Sequence, residues 1–154
     1  MFRRAHLLAG LLVPLASLPA AAQMFEVKLT WTSEAGTKAI AGWAVRETGQ
    51  NHGPVDVPAG QKVERIVHWQ PARDVPVQNH DLAVTLPGNR GCRATLELKM
   101  TYGAAGATVG NPFSCAIVSQ SYDRVTCGFS AVGSWTNSYP ISGACDVTIG
   151  FAAY

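Results

Sequence analysis

Three segments of the chain alternate strictly between apolar and polar residues, the pattern of a β-strand with one buried face. They cover residues 25–32, 93–102 and 145–151. In the first segment the apolar positions are Phe25, Val27, Leu29 and Trp31. The pattern predicts one half-buried strand near the start of the chain, one in its centre and one at its end.

Shorter apolar runs add further strand candidates, and clusters of Gly, Pro and Asn separate them. These candidates are residues 39–45, 62–70, 82–86, 115–120 and 124–131. No stretch keeps the 3.6-residue apolar period of an amphipathic helix. We therefore predict an all-β fold of about seven or eight strands, arranged as a single antiparallel β-sandwich or a small barrel.

The first 22 residues have the three-part layout of a secretory signal peptide. Arg3 and Arg4 form a basic start, an apolar stretch covers residues 7–18, and Ala20, Ala21 and Ala22 precede Gln23. The apolar stretch is shorter than the roughly 20 residues of a membrane-spanning helix. We expect cleavage near Ala22, which leaves one domain over residues 23–154. The style of the signal is bacterial, so the expected location is the periplasm or the outside of the cell.

Charge argues against two classes of partner. The full chain has 12 Lys and Arg against 10 Asp and Glu, and loss of Arg3 and Arg4 leaves 10 of each. A neutral chain without a basic cluster has little with which to displace counterions from a phosphate backbone. We therefore expect no nucleic-acid partner and no binding to an anionic membrane surface. No run after the signal is long and apolar enough to cross a bilayer, so we also expect no membrane span.

The four cysteines indicate two disulfides, since an even number in a secreted chain favours disulfide bonding. They are Cys92, Cys115, Cys127 and Cys145. A hairpin that turns near Ser121 would pair Cys115 with Cys127 and leave Cys92 for Cys145. A one-residue change of register in that hairpin would prevent this pairing, so the two other connectivities that four cysteines permit stay open.

Catalytic, cofactor and metal motifs are not evident. The histidines of the expected mature chain are His52, His68 and His80, and none forms the close ligand pair typical of a metal site. A nucleophile-elbow motif is also missing. We expect no metal, no cofactor and no catalytic residues.

Aromatic residues are the remaining candidates for a site. Trp31 and Trp43 fall in strand patterns and are expected in the core. Trp69, Trp135 and Tyr139 fall near predicted turns, where aromatic rings bind sugars or anchor interfaces. We take these three as the candidate binding residues. The alternative is that the tryptophans form a lid over one end of the core.

The sequence favours a secreted or periplasmic, non-enzymatic binding module for a protein, peptide or carbohydrate ligand that it does not identify. One alternative is a fimbrial or surface-assembly subunit that self-assembles through its terminal strands by β-augmentation. A second alternative is a small secreted hydrolase, which would need convergent carboxylates or histidines.

The assembly alternative includes a short resemblance. The alternation of Val147, Ile149 and Phe151 before Tyr154 resembles the C-terminal strand of pilins assembled by the chaperone–usher route. That resemblance covers about ten residues and implies strand exchange between subunits. The chain departs from the pilin pattern because its tyrosine is last rather than penultimate, the expected upstream glycine is missing, and its N-terminal half has no cysteine.

Overall fold

The computed structural model describes residues 24–34, 36–71, 75–101, 112–136 and 142–153. The predicted signal peptide and Tyr139 therefore lie outside the described residues. The strands are β1 (Phe25–Ser33), β2 (Ala39–Val45), β3 (Val55–Val57), β4 (Lys62–Trp69), β5 (Val77–Leu86), β6 (Arg90–Met100), β7 (Phe113–Asp123), β8 (Val125–Trp135) and β9 (Gly143–Ala153). No helix in the described ranges is long and apolar enough to cross a membrane.

The strands form two sheets that pack face to face. Sheet A has the order β4-β1-β9-β8, and sheet B has the order β3-β2-β5-β6-β7. Each inner face contributes alternate apolar side chains to one continuous core. Trp31 and Trp43, from opposite sheets, are almost fully buried in it. The predicted all-β sandwich and the predicted core position of both tryptophans are confirmed.

The alternating patterns predicted the presence of most strands more accurately than their first and last residues. The short strand β3 was not predicted, because Gly53, Pro54 and Pro58 flank its three residues and mark the whole segment as a turn. At the β5–β6 hairpin, Gly88 and Asn89 both have positive φ, a conformation that Gly and Asn tolerate best. This turn sets the long β5–β6 register, in which Leu86 lies opposite Arg90.

One strand pair departs from the predicted antiparallel arrangement. Strand β1 pairs antiparallel with β4 but parallel with β9, from Phe25 opposite Gly143 to Ser33 opposite Phe151. A parallel pair needs a long connection, and here the connection is the rest of the domain. Local alternation cannot reveal this pairing because it does not encode strand direction.

The predicted disulfide pairing is wrong, although all four cysteines are bonded. The bonds join Cys92 to Cys127 and Cys115 to Cys145. Strands β7 and β8 follow each other in the chain but belong to different sheets, so they do not form the hydrogen-bonded hairpin that would have paired Cys115 with Cys127. Each bond instead crosses the core and links sheet A to sheet B.

Candidate functional site

The outer face of sheet B carries a hollow, which we call the trough. It has a volume of about 610 Å³, within the usual range of small-molecule sites. Small residues form its floor: Gly42 on β2 lies opposite Ala83 on β5, and Ala44 on β2 lies opposite Asp81. A Cβ added to Gly42 would lie 3.7 Å from the Cβ of Ala83. Larger side chains at these positions would fill the trough.

Polar side chains line the trough. In one cross-strand row, Arg93 of β6 lies between Ala83 of β5 and Ser121 of β7. In the next row, Thr95 of β6 lies beside Ser119 of β7. At the opposite end Asn51 forms an isolated bridge with Ala44. The lining therefore combines one guanidinium group and the Asp81 carboxylate with hydroxyl and amide groups, all held on the strands or on a segment bridged to them.

The carboxylate that lines the trough, on Asp81, is already neutralised by Arg46. The Arg46 guanidinium forms an ion pair with Asp81, donating from Nε to Oδ2 at 3.2 Å. Thr95 donates from Oγ1 to the same carboxylate at 3.4 Å. The hydrogen bond from Arg46 is the main reason that the pKa of Asp81 lies below its ordinary value. This network makes Asp81 a fixed anion with its charge compensated.

Arg93 differs from Arg46 in this respect. Among the described residues no carboxylate lies within ion-pair distance of its guanidinium. Arg93 and Ser121 also border a neighbouring hollow of about 360 Å³ that contains Arg90. Within the described part of the chain, Arg93 thus gives the trough a positive charge that no carboxylate compensates, at the point where the two hollows meet.

Beneath the trough, on the inner face, a hydrogen-bonded chain fixes a buried imidazole. Trp43 donates from Nε1 to His80 Nδ1 at 2.7 Å, and His80 Nε2 lies 2.8 Å from Gln78 Oε1. Nδ1 accepts the indole hydrogen, so the proton of the neutral ring is on Nε2 and is donated to Gln78. Burial lowers the pKa of His80 to about 4. The imidazole is therefore neutral at pH 7 and serves as a structural group.

The three histidines of the expected mature chain border the same cavity. His52, His68 and His80 all border a space of about 270 Å³ near the end of the sandwich. The ring of His52 lies against Trp43, with centroids 4.9 Å apart. Even so, no group of three or more His, Cys, Asp or Glu side chains in the described segments has the geometry to hold a metal ion. The two nitrogen atoms of His80 are also both engaged.

The candidate aromatic residues have different surroundings. Trp69 is only 4% exposed and packs against Phe25, with ring centroids 5.8 Å apart. This burial agrees with the alternative reading of Trp69 as a lid on the core. Trp135 is half-buried at the end of β8 and borders a hollow of about 460 Å³ with His68. A binding role for Trp135 and Tyr139 stays a prediction.

Sequence reasoning missed the trough because it searched for aromatic and catalytic side chains. The available signal was the run of small outward positions in β2 and β5, where Gly42, Ala44 and Ala83 alternate with buried Trp43 and Leu82. Such residues leave a sheet face without side-chain cover. The partner strand that brings Arg93 beside them could not be deduced from the alternation alone.

Comparison with protein-family models and with curated proteins found no match.

Proposed function

We propose that this protein is a secreted or periplasmic, non-enzymatic binding module that holds an acidic carbohydrate in the trough of sheet B. The observation that carries the proposal is the Arg93 guanidinium, which pairs with no carboxylate of the described residues, beside a floor of small residues. A guanidinium binds a carboxylate through two parallel hydrogen bonds. Ser119, Ser121 and Asn51 supply the hydroxyl and amide groups that bind sugar hydroxyls.

The shape of the site favours a sugar acid over an apolar ligand. The only aromatic residue that borders the trough, among those described, is Trp43, and its side chain is 1% exposed on the inner side. Recognition would then depend on charge and hydrogen bonds instead of ring stacking. The adjoining hollow at Arg90 extends the polar surface, which suits a ligand of more than one sugar unit.

The proposed location is the one that the first residues predict. Residues 1–22 would be removed on export, and the domain would function outside the cytoplasm. Two disulfides support this location because such bonds persist in oxidising compartments.

The test is calorimetric titration of the purified protein with digalacturonate, with neutral digalactoside as the comparison. We expect binding of the acid only. Arg93→Gln should weaken it by about 10- to 100-fold, the effect of losing charge-assisted hydrogen bonds worth roughly 1.5–3 kcal/mol. The matched control is Arg65→Gln, which removes an arginine from the edge strand of the other sheet.

Other outcomes would reject the trough as the site. Equal binding of the acidic and neutral sugars would show that Arg93 does not bind the sugar carboxylate. Loss of binding in Trp135→Ala but not in Arg93→Gln would move the site to the hollow beside His68. Binding of a glutamate-containing tripeptide in preference to the sugar acid would identify a peptide ligand.

A surface-assembly subunit is the second candidate, and the position of β1 favours it. This strand lies between β4 and β9, and its inward side chains Phe25, Val27, Leu29 and Trp31 are fully buried. A domain without β1 would have an apolar gap in sheet A that the β1 of another subunit fits. Neither β1 nor β9 lies at a sheet edge, so assembly would require exchange of the strand.

Strand exchange has a direct test. A chain that lacks residues 23–33 is mixed with a synthetic peptide of residues 24–33, and thermal unfolding is followed by circular dichroism. Exchange predicts a partly stable domain that the peptide stabilises. A truncated chain that neither folds nor responds to the peptide would exclude this route.

A further inference from the structure

The two sheets have four edge strands, and three of them carry features that prevent pairing with another strand. Strand β3 has only three residues. Strand β4 carries Lys62, Glu64 and Arg65. Strand β7 is irregular at Val118, which has no partner where the β6 register shifts, and it ends at Asp123. Short length, charge and bulges are the usual protections of a sheet edge.

Strand β8 has none of these protections. It is 11 residues long and contains no charged residue and no proline. Its pairing with β9 runs without a shift from Val125 to Trp135, and β9 is its only partner among the described strands. Val132 is 66% exposed on it. The opposite edge of β8 thus presents a long, regular row of backbone donors and acceptors.

The sequence of β8 is complementary to itself around Ser130. If two copies of the strand pair antiparallel about a two-fold axis at this residue, the large side chains near the axis meet small ones, and Val125 meets Trp135 at each end of the paired strands. Val132 of one copy lies opposite Gly128 of the other, and Phe129 lies opposite Ala131. A Cβ added to Gly128 would find no atom within 4 Å, so there is space for the valine.

The absence of charged residues on β8 also favours a second copy of this strand as the partner at its open edge. Two identical strands without charged residues meet without repulsion, and the expected mature chain has 10 basic and 10 acidic residues. A pairing in which one patch binds its own copy is the isologous arrangement of a two-fold dimer. It would join the two copies of sheet A into one eight-stranded sheet.

We propose that this protein forms a two-fold homodimer through antiparallel pairing of β8 with β8 of a second copy, centred on Ser130. This interface is separate from the trough, since β8 is an edge of sheet A and the trough lies on sheet B. The dimer would therefore carry two independent troughs.

The test is the solution mass of the exported, oxidised chain by light scattering, from micromolar to millimolar concentration. We expect a concentration-dependent shift from monomer to dimer that stops at two copies. Ser130→Lys and Ser130→Glu should each be monomeric, because like charges directly opposite each other destabilise a strand pair. An equimolar mixture of the two variants should again form a dimer, through a pair of opposite charges.

Thr85→Lys is the matched control, since it adds the same charge at an exposed position of sheet B and should leave the dimer intact. Circular dichroism of each variant verifies the fold. A wild-type monomer at every concentration would overturn the proposal. So would a dimer that persists in Ser130→Lys, or variants that fail to associate when mixed.

Discussion

Acid should destabilise this protein through one buried side chain, His80. The folded protein holds the pKa of this imidazole at about 4, against an ordinary value of 6.5, and burial is the main cause. His52 lowers the pKa further, whereas Glu47 and Asp81 act in the opposite direction. The geometry explains why protonation is costly, because the new proton would go to Nδ1, which already accepts the Trp43 N–H at 2.7 Å.

The sign and size of the effect follow from proton linkage. Between pH 6.5 and pH 4 the unfolded chain binds a proton at this histidine and the folded chain does not, so stability falls as the pH falls. A difference of about 2.5 between the two pKa values corresponds to roughly 3 kcal/mol in total. About 2 kcal/mol of this should be lost on going from about pH 7.5 to about pH 5.

The assay is urea unfolding followed by tryptophan fluorescence, for the wild type and His80→Gln over that pH range. Glutamine keeps a group that accepts from Trp43 and donates to Gln78, but it does not titrate. Between about pH 7.5 and about pH 5, the wild type should lose about 2 kcal/mol of unfolding free energy relative to His80→Gln. Trp43→Phe, which frees Nδ1, should also weaken the pH dependence. Parallel curves for wild type and His80→Gln would refute the reasoning.

Three further predictions concern the disulfides, the packing and the trough. Peptide mapping without reduction should recover Cys92 linked to Cys127, and a Cys115–Cys127 peptide would contradict the fold. Replacing both Cys115 and Cys145 by Ala should lower the free energy of unfolding by about 3–4 kcal/mol, the loop-entropy value for a 30-residue separation. Gly91→Ala should cost about 1–3 kcal/mol in urea unfolding, because its Cβ would overlap the Val84 carbonyl oxygen, whereas Gly128→Ala has open space and serves as the control. Ala83→Leu should fill the trough floor and weaken sugar-acid binding at least about tenfold, while the free energy of unfolding stays within about 0.5 kcal/mol of the wild type. Unchanged binding in calorimetry would place the ligand outside the trough.

Alternation predicted most of the strands because each one buries a single face, and β2 matches residues 39–45 as expected. It could not predict how the strands pair, since burial does not record direction or partner. The disulfide error has the same origin. Cys115 and Cys127 are close in the chain, but the path from β7 to β8 leaves one sheet and enters the other.

The candidate site was less predictable than the fold. Trp69 fitted the pattern of a loop aromatic, yet Phe25 and Phe113 enclose its ring. Arg93 was an unremarkable polar position in an alternating strand until the β5–β6 register placed it beside Ala83. A site formed by several strands depends on their order in the sheet, and that order is set by packing throughout the domain.

The parallel pairing of β1 with β9 determines how the domain would respond to mechanical force. Phe25 and Ala153 lie at opposite ends of this pair, because β1 begins beside Gly143 and β9 continues past the end of β1. Tension applied between these two residues would load the whole row of hydrogen bonds in shear, so the bonds would have to break together instead of one after another. The two disulfides would then limit the length that the force could extract, since the chain between Cys92 and Cys145 contains both cross-links.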